Sequence, residues 1–274
     1  MTASPTSTLS VQTLIDALRL PESCRVDQRV PKKLLLENGA PTAADKRLIT
    51  DAIEEIQWVA ALKPNTVGVP EYRDAQREYL EVALLAVTLR GPVKPASVSR
   101  LAELVHRAVP YPVLLLLADG QALILSLAHK RWAQNEAGKV VLDGSLVSAS
   151  LFRASATESP ASNLTAVAEA ERSFMQSLSV TRQPQATLHA FYQGWMDCVQ
   201  SLRAARLTGS YQTSATPEQA AARRQALADC ERCEAEISRL RSLAAKEKQL
   251  ARQVELNLAL KRVQAQLVAA RQQL

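Results

Sequence analysis

The chain has 274 residues, 47% of them hydrophobic but only 4% aromatic, with a formal net charge of +6 and a pI near 9.3. That is apolar material for one large domain or two modest ones, with Leu, Val and Ala filling the core. No 18-residue uncharged apolar stretch offers a membrane span, and residues 1–10 lack the basic-then-apolar order of a signal peptide.

The positive balance permits an acidic partner such as nucleic acid without requiring one. Cys24, Cys198, Cys230 and Cys233 are scattered, as reduced thiols in a cytoplasm would be.

In chain order, residues 8–20 carry Leu9, Val11, Leu14, Ile15, Leu18 and Leu20 at helical spacing, and Pro21 ends that helix. Residues 26–31 read as extended, and residues 32–39 as a short turn or helix stopped by Asn38-Gly39. Thr42, with Asp45 behind it, caps a second helix whose stripe is Leu48, Ile49, Ile53, Ile56 and Val59 or Ala60, and Lys63-Pro64 stops it. On that helix Trp58 reads as a core plug rather than a base-stacking residue. Residues 66–69 form a short strand and residues 79–90 a long one, apolar on both faces except at Glu81. Ser97 caps a helix with Val98, Leu101, Leu104, Val105 and Ala108 inward.

Residues 110–131 are the most apolar stretch, broken only by Asp119-Gly120. That dipeptide suits a type I′ turn, so two buried strands pair with Leu117 opposite Ala122, Leu115 opposite Ile124 and Val113 opposite Ser126. A second such dipeptide, Asp143-Gly144, predicts a hairpin between residues 139–142 and 145–152. Helix, strands, helix and then a four-strand meander give an α+β domain, a mainly antiparallel sheet with packed helices, over residues 1–153.

Residues 154–163, rich in Ser and Ala, read as a linker, and residues 164–216 as a helical region with helices at 166–178 and 187–207. Residues 217–274 read as a long C-terminal coiled coil. Its seam runs through Cys230, Cys233, Ile237, Leu240 and Ala244, and again through Leu256, Leu260, Val263, Leu267, Ala270 and Leu274. A phase slip at residues 246–254 predicts a stutter or break.

Few residues carry a recognisable chemistry. Cys230 and Cys233 have the spacing of half a zinc site, but no second pair or nearby His completes it, and both sit on the seam as small apolar residues. His106, His129 and His189 are far apart in sequence, and no nucleophile elbow, phosphate-cradling loop or dinucleotide fingerprint occurs, so neither metal nor cofactor is assigned. Glu78 and Glu81 are the strand carboxylates a metal-dependent nuclease would use. The acidic-x-Lys element of such sites is missing, because Leu80 and Ala83 stand two positions on.

The candidate surface is basic instead. Lys32, Lys33, Lys63, Arg90, His129, Lys130 and Arg131, with His106 and Tyr111, make a patch for DNA or a partner protein if their segments meet at one end of the sheet. The competing reading has the basic residues flanking buried strands as solubilising gatekeepers.

Several runs carry a family resemblance: Lys32-Lys33-Leu34-Leu35-Leu36-Glu37-Asn38-Gly39, Glu78-Tyr79-Leu80-Glu81-Val82, His106-Arg107-Ala108-Val109-Pro110-Tyr111-Pro112-Val113 and Ala128-His129-Lys130-Arg131. With Trp58, Leu62-Lys63-Pro64 and the tail Arg252-Gln253-Val254-Glu255-Leu256-Asn257, they resemble the bacterial and archaeal family called domain of unknown function 4391, from about residue 24 to the end.

Members are often encoded beside a helicase of the SNF2 or DEAD-box type and a DNA methyltransferase, in clusters that look like restriction or phage-defence systems. The resemblance brings no catalytic assignment. Together with the heptad tail, the basic cluster and the absence of a catalytic motif, it leads to the expectation of an accessory, non-catalytic subunit that binds DNA or a partner enzyme and assembles through residues 217–274, with a homo-oligomer as one possible form. The alternative is a divergent metal-dependent nuclease using Glu78 or Glu81.

Overall fold

The computed structural model describes residues 10–120, 122–134, 136, 138–152 and 161–274. These residues fall into two compact units. One comprises the residues up to 152 together with Glu171–Val199, and the other Ala161–Ala170 with Gln200–Leu274. Most of the expected linker, residues 154–160, lies outside the described residues.

The elements in order are α1 (Val11–Leu18), β1 (Arg25–Arg29), α2 (Lys32–Asn38), α3 (Ala43–Ala52), β2 (Ile53–Leu62), α4 (Pro64–Val67), β3 (Tyr72–Arg73), β4 (Glu78–Tyr79), β5 (Val82–Leu89) and α5 (Pro95–Ala108). There follow β6 (Val113–Ala118), β7 (Ala122–Trp132), β8 (Val140–Phe152), α6 (Ala161–Ser177), α7 (Leu188–Thr208), α8 (Pro217–Lys246) and α9 (Leu250–Arg271). Among the described residues no helix is long and apolar enough to cross a membrane.

Six strands form one sheet in the order β1-β2-β5-β6-β7-β8, and β3 and β4 pair separately. All neighbours are antiparallel except β5 and β6. The expected α+β class with a mainly antiparallel sheet is therefore present, but the four-strand meander is not. Parallel neighbours need a crossover, and α5 supplies it.

The largest departure from expectation is at residues 53–62, expected as helix and folded as β2. The strand carries register shifts between Ile53 and Glu55 and between Trp58 and Ala60. Each bulge adds a residue to the two-residue alternation. The buried positions Ile53, Ile56 and Val59 thus recur every third residue and imitate a helical stripe. Trp58 does pack against the core, from a strand rather than a helix. Pro64, expected to stop a helix, starts α4, where Thr66 Oγ1 accepts from the Lys63 amide at 2.8 Å; this replaces the strand expected at residues 66–69.

The long strand expected at residues 79–90 divides into β4 and β5. The central hairpin forms with its faces as expected but two residues out of register, pairing Leu117 with Ile124 and Leu115 with Ser126. Asp119 takes the role of a wider loop's first residue, its Oδ1 accepting from the Ala122 amide at 2.7 Å. At Asp143-Gly144 there is no hairpin. Gly144 adopts φ +83°, the chain runs on as the single strand β8, and β8 itself bulges there, with Gly144, Ser145 and Leu146 opposite Ala128 of β7.

Helices α2, α3 and α5 cover one face of the sheet, where Ile49, Ile56, Leu101, Val105, Leu115 and Leu117 share a core. Gly39 ends α2 so close to α5 that a Cβ there would lie 2.5 Å from the Leu104 carbonyl oxygen. The other face presents Leu84, Leu114, Leu116 and Leu125, also buried. The Tyr192 hydroxyl ties α7 to that face, donating to Val113 O at 2.7 Å and accepting from the Ala128 amide at 2.9 Å.

In the second unit the long coiled-coil helix expected from the heptads is two helices, and the break falls within the phase slip at residues 246–254. Glu247 breaks it, its carboxylate accepting from the Lys248 and Gln249 amides at 2.8 and 2.9 Å. Beyond that turn α9 folds back along α8, and Arg271 meets Glu234 at 2.9 Å. Cys230, Cys233, Ile237 and Leu240 of α8 are buried, whereas α9 has no fully buried residue.

Candidate functional site

Strand β7 leaves the core at His129, Lys130 and Arg131, and alternation sends neighbouring side chains to opposite faces. His129 points toward α7. Its Nε2 lies 2.7 Å from Gln193 Oε1, and Gln193 Nε2 donates to Asp197 Oδ1 at 2.9 Å. Because a carboxylate only accepts, that second bond fixes the amide with its oxygen toward the histidine. His129 Nε2 therefore carries the proton, and Nδ1 accepts from the Tyr79 hydroxyl at 2.5 Å. Burial holds His129 below the usual histidine range and Tyr79 above the usual phenol range, so both are neutral at pH 7.

A second histidine completes this side. His189 stacks on His129 with centroids 5.0 Å apart, and Tyr72 stacks on His189 at 4.9 Å. Tyr79 stands edge-on to His189, also at 4.9 Å. Burial, helped by the charge that His129 takes on in acid and by Arg77, lowers His189 to about 4.

Lys130 points the other way, toward α5. It is 3% exposed, and its Nζ donates to His106 O at 2.5 Å and to Val109 O, closing the C-terminus of that helix. Burial lowers it to about 7. His106, also buried, bonds Ser126 Oγ through Nε2 at 3.0 Å, while its Nδ1 has no partner among the described residues. Burial, and then the Lys130 charge, holds His106 at about 3. Beside Lys130 lies a cavity of about 210 Å³ whose walls include Glu78, Tyr111, Arg131 and Trp132.

The sequence model of a family described as Domain of unknown function (DUF4391) matches residues 18–267. The chain belongs to this family. Comparison with curated proteins and with solved structures returns no match.

In this DUF4391 member the expected basic surface is divided. Tyr111, Lys130 and Arg131 do meet at the cavity. Lys63 lies at the same end of the sheet, where it pairs with Glu81 at 3.3 Å. Lys32 and Arg90 stand at the opposite end, both donating to the Ile53 carbonyl, because β2 runs antiparallel to β5 and starts beside Leu89. Lys33 pairs with Glu37 on the exposed side of α2, at 3.5 Å.

The two candidate carboxylates are also engaged. Glu78 meets Arg73 at 3.3 Å, and Glu81 keeps only its buried Oε1 unpartnered. No group of three or more His, Cys, Asp or Glu residues among those described stands close enough to hold a metal ion.

Sequence reasoning missed Tyr72, Arg77, Asp143, His189, Tyr192 and Gln193. Arg77 reaches Asp143 at 2.5 Å, and Arg131 meets the same carboxylate at 3.6 Å. The signal available beforehand was the spacing of His189, Tyr192 and Gln193 on α7, three and four residues apart and hence on one helix face.

Proposed function

We propose that the chain is an accessory, non-catalytic subunit of a helicase and methyltransferase type of restriction or phage-defence assembly in the cytoplasm, and that it engages a partner enzyme rather than DNA. The observation that carries this reading is how fully the charged groups at the candidate end are engaged within the chain. Lys130 closes a helix, Arg77 and Arg131 share Asp143, Glu78 meets Arg73 and Glu81 meets Lys63. Cations held this way have little freedom to neutralise a phosphate backbone. Paired carboxylates likewise lack the open geometry of a metal-dependent nuclease, which leaves the alternative using Glu78 and Glu81 less well supported.

Such an end works as a rigid bracket between sheet, α5 and α7, and assembly falls to the C-terminal helices. The test is co-purification with a helicase and a methyltransferase of the kinds often encoded beside members of the family, with and without residues 217–274. Loss of the complex on deletion supports the reading, and an unchanged complex refutes its assembly half. DNA binding at low salt that falls on Lys130→Gln and Arg131→Gln would restore DNA as the ligand.

A further inference from the structure

Helix α9 is apolar on two opposite faces. Leu256, Leu260, Val263 and Leu267 are half-buried on the side that meets α8. On the other side Leu250, Val254, Leu258 and Val268 are 76%, 52%, 51% and 57% exposed. The first three recur every fourth residue; Lys261 and Arg262 interrupt the line after Leu258, and exposed Ala265 and Val268 resume it. A four-residue apolar line on one face of an exposed helix is the pattern of a helix that receives another.

A second feature adjoins that line. Between α8 and α9 runs a groove of about 560 Å³ in whose mixed walls Ala222, Ala226, Ala269 and Ala270 alternate with polar residues, among them the ion pair of Asp229 with Arg232. The alanines among these let an approaching backbone come close at those points. Ala269 lies about 100° round the helix from Val268, so the groove borders the line along one edge.

Charge decides what covers it. Helix α9 has four basic residues, Arg252, Lys261, Arg262 and Arg271, against Glu255 alone. Arg271 is paired with Glu234 and Arg252 with Glu247. Lys261 and Arg262, three and four residues beyond Leu258, form no salt bridge among the described residues. A second α9 would set like charges against these, whereas an acidic helix would complete them.

Resting on the assembly role above, we infer that the outer face of α9 is the docking surface for an acidic amphipathic helix of a partner protein. The apolar line supplies the contact area, the alanine groove supplies close approach, and Lys261 with Arg262 selects for glutamate or aspartate on the incoming rim.

The test uses the full chain and two synthetic 21-residue helical peptides with identical leucine faces, one flanked by Glu and the other by Lys. Fluorescence anisotropy at low salt is expected to show at least tenfold tighter binding of the Glu-flanked peptide. Leu258→Glu, at an exposed position whose helicity circular dichroism checks, should weaken it at least tenfold. The double variant Lys261→Glu/Arg262→Glu should invert the preference in favour of the Lys-flanked peptide.

Equal binding of the two peptides, or binding indifferent to Leu258→Glu, overturns the inference. So does a dimer of the chain alone in sedimentation velocity that Leu258→Glu dissociates, since the occupant would then be a second copy. A helicase or methyltransferase complex lost on deleting residues 217–274 yet retained in Leu258→Glu would remove this surface while leaving the accessory role standing.

Discussion

Replacing Lys130 by Met tests whether this buried lysine opposes folding near neutral pH. Burial lowers its pKa from 10.5 to about 7, so between those values the unfolded chain holds a proton that the folded chain has released. Stability must then rise with pH across that window. At 1.36 kcal/mol per pH unit the whole depression is worth about 5 kcal/mol, and the part between pH 7 and pH 10 about 3–4 kcal/mol. The carbonyls of His106 and Val109 favour the ammonium form, which makes these figures upper bounds.

Met keeps the stem and removes the titration, and it leaves two carbonyls without their donor, a loss of about 1–3 kcal/mol. Lys130→Met should therefore be the less stable protein at pH 10 and match or exceed the parent at pH 7. The assay is urea unfolding at four pH values followed by tryptophan fluorescence. Trp58, Trp132 and Trp195 all belong to the first unit, so the signal reports on that unit. Taking the difference between the two proteins cancels every other group that titrates there. A difference that stays constant with pH, or changes with the opposite sign, refutes the reasoning.

His189 has the same sign as Lys130, but its window is acidic. With a folded value of about 4 against 6.5, stability is lost as pH falls from 6.5 to 4. For a half-exposed ring, solvent screening reduces this to about 1–2 kcal/mol; His189→Phe keeps the stack and should flatten that limb of the pH profile, read as melting temperature. Tyr192→Phe leaves the buried Ala128 amide without its acceptor and should cost about 1–3 kcal/mol in urea unfolding, against no change if water replaces the hydroxyl. Gly39→Ala forces a methyl against the Leu104 carbonyl and the Ala108 Cβ, so α2 or α5 must shift, at about 1–3 kcal/mol; an unchanged midpoint would contradict the close approach.

Where a helix or strand was periodic and unbulged, its sequence was enough to place it. The stripe of α5 through Val98, Leu101 and Val105 lies inward as read. The apolar faces of β6 likewise survive a two-residue change in register, because an even shift keeps each side chain on its face. Bulges defeated the same logic. In β2 they turned an alternating pattern into a three-residue one, and at Gly144 a glycine with positive φ bends a continuous strand where a turn was expected.

The candidate site was legible only in part. The basic run His129-Lys130-Arg131 announced itself, but alternation sends His129 and Lys130 to opposite faces, and the partners of each come from residues far away in sequence, in α5 and α7. His189 carried no local sign that it would stack on His129, 60 positions earlier.

The parallel pairing of β5 with β6 also bears on how quickly this fold is reached. Hairpins such as β6 with β7 close over a few residues, but β5 and β6 meet only after residues 90–112 have been gathered into α5 and its connections. Loop-closure entropy is lost there before the central contacts form. Docking of Leu101 and Val105 onto the nascent sheet is therefore the step expected to limit the folding rate. Helix α5, whose last carbonyls Lys130 later closes, sets the pace at which the whole first unit assembles.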